Sequence, residues 1–136
     1  MIAKRSFAKS LGSLDGVFDF LQEFTDEEAI AEKYVFAINL VVEELFTNMV
    51  KYSGGADHKI AISIDKNDHQ VMLQLTDFDS DPFDPESVSA VDVSAPIEQR
   101  QPGGLGLHIV RTLVDDLEYE LDERKLTISV RKSLEN

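Results

Sequence analysis

Three short segments of this 136-residue chain carry residue types that could do chemistry. In the first, Glu44 and Asn48 lie four residues apart, and Lys51 follows three residues later. On a helix, this spacing places the three side chains along one flank. A carboxylate and an amide oxygen stacked in this way can serve a hydroxyl group and a metal ion. The alternative interpretation is an ordinary solvated helix face, because Glu and Asn are mostly surface residues.

The second segment is rich in carboxylates and prolines. Asp77 stands at the end of an alternating strand pattern, and Asp79, Asp81 and Asp84 follow closely. A carboxylate at a strand end can accept a hydrogen bond from an amino group, such as that of adenine, at the mouth of an apolar pocket. Plain turn chemistry is the competing interpretation, since Asp, Ser and Pro favour turns.

The third segment is a glycine cluster, Gly103, Gly104 and Gly106, which precedes a short helix pattern. Glycines ahead of a helix allow backbone N–H groups to approach a phosphate. No Gly-Lys-Ser/Thr follows, so the cluster is not a Walker loop. A loop instead of a strand precedes it, which argues against a dinucleotide fingerprint. Alone, this cluster is a weak signal.

Two helices are predicted in the first half of the chain, and the second of them carries the first segment. Residues 2–8 alternate loosely and are typical of an edge strand, after which Ser13 is a candidate N-cap for an amphipathic helix. Thr25 is predicted to open a second, longer helix with Glu28 completing a capping box, and a Gly-Gly pair at 54–55 ends it. This central helix is predicted to face the core with Ile38, Val41, Leu45 and Met49.

Two hairpins complete the expected fold. The first alternates apolar and polar residues over 60–75, with a turn near Asn67 and Asp68. The second covers 117–130, with a turn at Glu123 and Arg124. Helices and strands are segregated along the chain. This order predicts one domain over 1–136 of class α+β, a two-layer α/β sandwich with helices on one face of a mainly antiparallel sheet.

Composition narrows the function classes. The chain has 26 acidic and 13 basic residues, a formal charge of -13, and no Lys/Arg cluster, which argues against direct binding to nucleic acid. No apolar run reaches the roughly 18 residues of a membrane span. The absence of cysteine excludes disulfides, and with no apolar signal core near the N-terminus a cytoplasmic location is expected. The acidity itself indicates solubility or a partner with a basic surface.

Taken together, the order and placement of the three segments resemble the Bergerat-fold ATPase superfamily of gyrase, MutL and the histidine-kinase catalytic domain. Within it, the chain is most similar to the anti-sigma-factor serine kinases of the RsbW type. The residues that carry the resemblance are the helix motif at 42–48, Asp84 after Pro82 and Phe83, and the motif at 104–108. The resemblance covers roughly residues 5–132.

This resemblance implies ATP and Mg²⁺ as cofactors and gives roles to individual residues. Asn48 would coordinate Mg²⁺, and Glu44 would be the general base. Asp77 would bind the adenine amino group, and the long segment of about residues 79–103 would form a lid over the nucleotide. Further nucleotide-binding residues would be Lys51, Gly104, Gly106 and, through water, Thr127.

The resemblance also implies partners. A kinase of this type would phosphorylate an anti-sigma-factor antagonist and, when free, bind a sigma factor, and it could form a homodimer. The alternative is a degenerate Bergerat-fold binding module that sequesters a regulatory partner with little or no catalysis. A detached histidine-kinase catalytic domain is a third interpretation. It is disfavoured because no segment resembles a dimerisation helix pair with a phospho-accepting histidine.

One residue departs from the family pattern. The family has a glycine two residues after the adenine-binding aspartate, where the backbone approaches the nucleotide, and here that position is Asp79. Its side chain could crowd the base, and its charge would repel a triphosphate. Either Asp79 points outward and Mg²⁺ offsets its charge, or nucleotide binding is weak or lost.

Overall fold

Five strands and two long helices make up the described part of this computed structural model, residues 2–52, 59–78 and 110–134. A 3₁₀ turn at Leu11–Ser13 precedes the first helix, and residues 110–113 are helical. Within these ranges, neither helix combines the length and apolar character needed to cross a bilayer. In chain order the elements are β1 Ile2–Ala8, α1 Leu14–Glu27, α2 Glu32–Tyr52, β2 Lys59–Lys66, β3 Gln70–Asp77, β4 Asp116–Asp122 and β5 Lys125–Ser133.

The five strands form one antiparallel sheet in the order β1-β2-β3-β5-β4. Both predicted hairpins are confirmed, and β1 lies at an edge as expected. The pairing of β3 with β5 joins the two hairpins: Gln74 Nε2 donates to Ser129 Oγ at 3.3 Å, across 55 positions of sequence. The α+β class and the mainly antiparallel sheet are therefore confirmed.

The helices cover one face of this sheet. Along β3, Val71, Leu73 and Leu75 are buried, whereas Met72 and Gln74 between them are exposed. Side chains alternate across a strand, so the buried set defines the inner face and the exposed set the open outer face. The four α2 residues predicted to face the core are all buried there: Ile38, Val41, Leu45 and Met49.

The predicted boundary between the two helices is wrong. Thr25 does not open α2, because α1 continues through it to Glu27 and the Thr25 hydroxyl donates to the Gln22 carbonyl at 3.2 Å. The chain reverses at Ala29, whose φ of 53° is left-handed, and α2 begins at Glu32. Ser13 does precede α1, although its hydroxyl donates to the Ala8 carbonyl and caps no helical N–H. The Gly-Gly pair at 54–55 lies outside the described residues.

Candidate functional site

The core-facing flank of α2 holds the amide of the first motif. Asn48 is 5% exposed and lies between the buried residues Leu45 and Met49. Its Nδ2 donates to the backbone carbonyl of Glu44 at 2.6 Å. A carbonyl oxygen can only accept, so the amide nitrogen Nδ2 faces the Glu44 carbonyl. The amide oxygen Oδ1 lies at the other end of the amide and takes no part in this bond. An amide oxygen is a ligand type that Mg²⁺ takes.

Glu44 lies one helical turn before Asn48 and is half-buried. Burial raises the pKa of its carboxyl above the usual glutamate value, the charge of Glu43 raises it further, and the charge of Lys51 opposes both. A partly desolvated carboxylate holds a proton more readily than a surface one, as a general base requires. This environment differs from the solvated helix face that the motif alone left open. Lys51 itself is exposed.

Asp77 ends β3 on the inner face of the sheet, where it lies opposite Ile60 and Leu126. It is fully buried, in the layer between helices and sheet that also contains Asn48. The predicted position at a strand end is confirmed. Its Oδ2 lies 2.6 Å from Nζ of Lys9, and the two side chains are 0% and 1% exposed. The carboxylate that would bind adenine is therefore already paired with a cation.

Lys9 is the site residue that the sequence analysis missed. It follows β1, whose Ala3, Arg5 and Phe7 lie opposite inward residues of β2. Two positions after Phe7, Lys9 continues the inward phase of the strand. The period-two alternation of residues 3–9 is the signal that could have found it. A lysine on an inward phase needs a buried anionic partner, and Asp77 is that partner.

The structure does not bring Thr127 to Asp77. Thr127 lies opposite Thr76, whereas the β5 partner of Asp77 is Leu126. Neighbouring residues of a strand point to opposite faces, so Thr127 belongs to the outer face of the sheet with Ser129. A water-mediated contact to a base at Asp77 is not supported by this placement.

The remaining predicted site residues lie outside the described part of the chain. These are Gly104, Gly106, Asp79 and the expected lid at 79–103, and their roles stay predictions. A groove of about 340 Å³ lies elsewhere, on the outer face, where Ser63, Gln74 and Ser129 line it. The buried polar residues of the inner layer are the better candidate, because the outer groove contains none of the residues of the three motifs.

Comparison with known proteins identifies the family of this fold. Residues 7–132 match the family described as Histidine kinase-like ATPase domain. Over 89 residues the chain is 33% identical to the Serine-protein kinase RsbW of Halalkalibacterium halodurans, a match that covers 62% of this chain and 54% of that protein. The chain thus spans about half the length of this curated relative.

Two solved structures share the fold. One contains the RsbU and RsbW domains of a Mycobacterium tuberculosis protein, with a TM-score of 0.69 and 14% identity over 97% of this chain and 32% of that chain. The other is the SiaB–SiaC complex of Pseudomonas aeruginosa, with a TM-score of 0.63 and 18% identity over 96% of this chain and 88% of that chain. At such identities the likeness is one of fold.

The resemblance to RsbW-type Bergerat-fold ATPases is confirmed by these matches. The family match covers nearly the whole chain, including both α2 motif residues and Asp77. The chain belongs to the histidine kinase-like ATPase domain family.

Proposed function

We propose that this chain binds Mg·ATP and, acting in the cytoplasm, transfers the terminal phosphoryl group to a serine of an anti-sigma-factor antagonist. One observation carries the proposal. A single helix of an ATPase-family domain holds a partly buried carboxylate, Glu44, and an amide, Asn48, whose orientation is fixed by a hydrogen bond. The name of the Halalkalibacterium relative, Serine-protein kinase RsbW, supports the choice of acceptor.

The residues present fit a magnesium-bound nucleotide. In the described ranges, no group of three or more His, Asp or Glu side chains could hold a metal ion by itself. Mg²⁺ commonly takes one or two protein oxygens and completes its shell with phosphate and water oxygens. Asn48 Oδ1 can supply such a protein oxygen. Asp77 would accept from the adenine amino group, and Lys51 would lie near the phosphates.

In the proposed transfer, the terminal phosphoryl group passes from ATP to the serine oxygen, and ADP leaves with the electron pair of the broken P–O bond. A bound Mg²⁺ would offset the charge of the phosphates. Glu44 accepts the proton of the attacking serine hydroxyl as the hydroxyl oxygen approaches the phosphorus. Its raised pKa makes it a stronger base than a surface glutamate. Asn48, one turn away, would hold the metal through Oδ1, because its Nδ2 is bonded to the backbone carbonyl of Glu44.

A protein partner is part of the proposal. The SiaB–SiaC structure is a complex of a fold relative with another protein, which supports a protein antagonist as the substrate here. A sigma factor and a second copy of the chain are proposed as further partners. The charge of -13 suits a partner surface that is basic. Incubation of the chain with Mg²⁺, radiolabelled ATP and a neighbouring antagonist gene product tests the function, and serine phosphorylation is the expected result.

Asn48→Ala is expected to weaken Mg·ATP binding by about tenfold or more, since an oxygen ligand of a hard cation is lost. Calorimetric titration with and without Mg²⁺ measures the effect, which should vanish without the metal. Asn39→Ala on the same helix is the matched control and should leave the affinity unchanged. Equal affinities of Asn48→Ala and the native chain would remove Asn48 from the metal site.

The alternative function is a binding module with little or no catalysis. Two observations favour it: Asp79 stands where the family has glycine, and Asp77 is paired with Lys9. Such a module would still bind a regulatory protein through its surface. It would differ from the kinase in a direct ATP titration.

Asp79→Gly is expected to tighten ATP binding by at least about tenfold. The substitution removes the repulsion between the Asp79 carboxylate and the phosphates of ATP. Two like charges about 6 Å apart repel by roughly 2–3 kcal/mol at an effective dielectric near 20. A tenfold change in affinity corresponds to about 1.4 kcal/mol. Asp68→Gly, in the β2–β3 turn, makes the same charge change at an exposed position and serves as the control. If neither the native chain nor Asp79→Gly binds ATP, the binding module replaces the kinase as the proposed function.

A further inference from the structure

Two hydrogen bonds fix the backbone around Lys9. The Ser10 N–H donates to the Ala8 carbonyl at 2.8 Å, which closes a three-residue turn with Lys9 at its centre. The Ser13 hydroxyl donates to the same carbonyl at 2.8 Å. These two bonds tie the end of β1 to the start of α1. They fix the Lys9 backbone where its side chain enters the layer between helices and sheet.

The ion pair inside this layer is nearly dry. Nζ of Lys9 lies 2.6 Å from Oδ2 of Asp77, and the side chains are 1% and 0% exposed. A buried ammonium is costly unless a carboxylate compensates it, so each partner holds the other in place. Nothing in the proposed phosphoryl transfer uses Lys9. It is a buried charged group, and one of its contacts is the Asp77 carboxylate that is proposed to bind the adenine amino group.

An ammonium and an adenine amino group seek the same acceptor with different strength. A hydrogen bond gains strength when a partner is ionised. Both partners are ionised in the Lys9–Asp77 pair, whereas only the carboxylate is ionised in a bond from the adenine amino group. The Lys9 ammonium is therefore the stronger donor for Asp77. The long, flexible stem of lysine also allows the head group to leave the carboxylate while the turn at Lys9 stays in place.

We propose that Lys9 competes with adenine for Asp77. The Lys9 ammonium binds the buried Asp77 carboxylate, and the adenine amino group of ATP binds that carboxylate only after Lys9 has withdrawn. This inference rests on the proposed function, because it takes Asp77 as the acceptor of the adenine amino group. It adds a residue that lowers the affinity for ATP. The domain then exists in two states. In one, Lys9 is paired with Asp77, and in the other, adenine has replaced the Lys9 ammonium at Asp77.

The direction in which one substitution changes the ATP affinity distinguishes this competition from simple charge attraction. A lysine near a triphosphate attracts it, so its removal would ordinarily weaken nucleotide binding. Competition for Asp77 predicts the opposite. Lys4→Met removes the same charge from an exposed position of β1 and measures the general charge effect.

The experiment is a calorimetric titration of the native chain, Lys9→Met and Lys4→Met with Mg·ATP and with Mg·ITP. ITP carries the same triphosphate but has a carbonyl oxygen in place of the adenine amino group. Lys9→Met is expected to bind ATP about tenfold more tightly than the native chain, or better, with no comparable gain for ITP. Lys4→Met is expected to show no gain for either nucleotide.

Several outcomes overturn the inference. An ATP affinity of Lys9→Met that is unchanged or lower excludes competition, and equal gains for ATP and ITP indicate a general loosening of the site. Lys9→Gln, which keeps a neutral donor beside Asp77, serves if Lys9→Met does not fold, and the same comparison applies to it. If the native chain binds ATP and the variants bind no better, this inference alone fails. If no form binds ATP, the proposed function fails with it.

Discussion

Glu44→Gln is expected to slow serine phosphorylation by about 10²- to 10⁴-fold, which is the usual contribution of a general base. Glutamine keeps the size of the side chain but cannot take a proton from the attacking hydroxyl. Because Glu44 is not assigned to the nucleotide, the affinity for Mg·ATP should stay close to that of the native chain. Single-turnover transfer to an antagonist, together with an ATP titration, measures both quantities.

The neighbouring Glu43 provides a matched control, since it is an exposed glutamate on the same helix. Glu43→Gln should change the transfer rate little at a pH where Glu44 is already deprotonated, although loss of the Glu43 charge lowers the pKa of Glu44. The native rate should rise with pH as Glu44 loses its proton, through an apparent pKa above the ordinary glutamate value, because burial raises that pKa. Glu44→Gln should lack this dependence. Full activity of Glu44→Gln would show that another group takes the proton.

Asp77→Ala is expected to lower the free energy of unfolding by about 3–5 kcal/mol, because it leaves the Lys9 ammonium buried without its carboxylate. Domains of this kind are stable by roughly 5–15 kcal/mol in total, so the loss is a large share. Urea denaturation measures it. Asp122→Ala removes an exposed carboxylate at the end of β4 and should change the stability by less than about 0.5 kcal/mol.

The double variant Lys9→Met/Asp77→Leu separates the pair from its surroundings. Replacing both partners of a buried ion pair by apolar residues is often neutral or stabilising, so the double variant should recover most of the stability lost in Asp77→Ala. A double variant as unstable as Asp77→Ala would mean that the loss arises from other contacts of these two residues.

The parts of the fold that periodicity encodes were predictable from the sequence. The inward residues of α2 and of both hairpins follow from local patterns, because a helix or strand with one buried face must repeat its apolar residues at the period of that element. The boundary between α1 and α2 was not predictable in this way. A Thr followed three residues later by Glu also occurs inside a helix, and here the chain reverses at Ala29, a residue without the turn preference of glycine.

The candidate site was predictable only in part. Glu44 and Asn48 are neighbours on one helix, so their spacing is enough to bring them together. Lys9 follows β1 and Asp77 ends β3, so the two residues meet across the intervening strand β2. No local pattern pairs a residue after β1 with the end of β3. Thr127 is different: the inward phase of β5, set by Leu126 and Ile128, already indicates that Thr127 faces the other side.

The joining of the two hairpins through β3 and β5 has a consequence for the order of folding. Residues that pair within the β2–β3 hairpin are close in sequence, such as Ile64 and Leu73, whereas the contact of Gln74 with Ser129 spans 55 positions. Long-range pairing is slow because loop closure must precede it. The pairing of β1 with β2 is as long-range, since Phe7 lies opposite Ile60. We therefore expect docking of β1 and of the β4–β5 hairpin onto the β2–β3 hairpin to limit the refolding rate. Ile128→Val should then slow refolding more than it speeds unfolding in stopped-flow experiments, and the reverse would place this docking after the rate-limiting step.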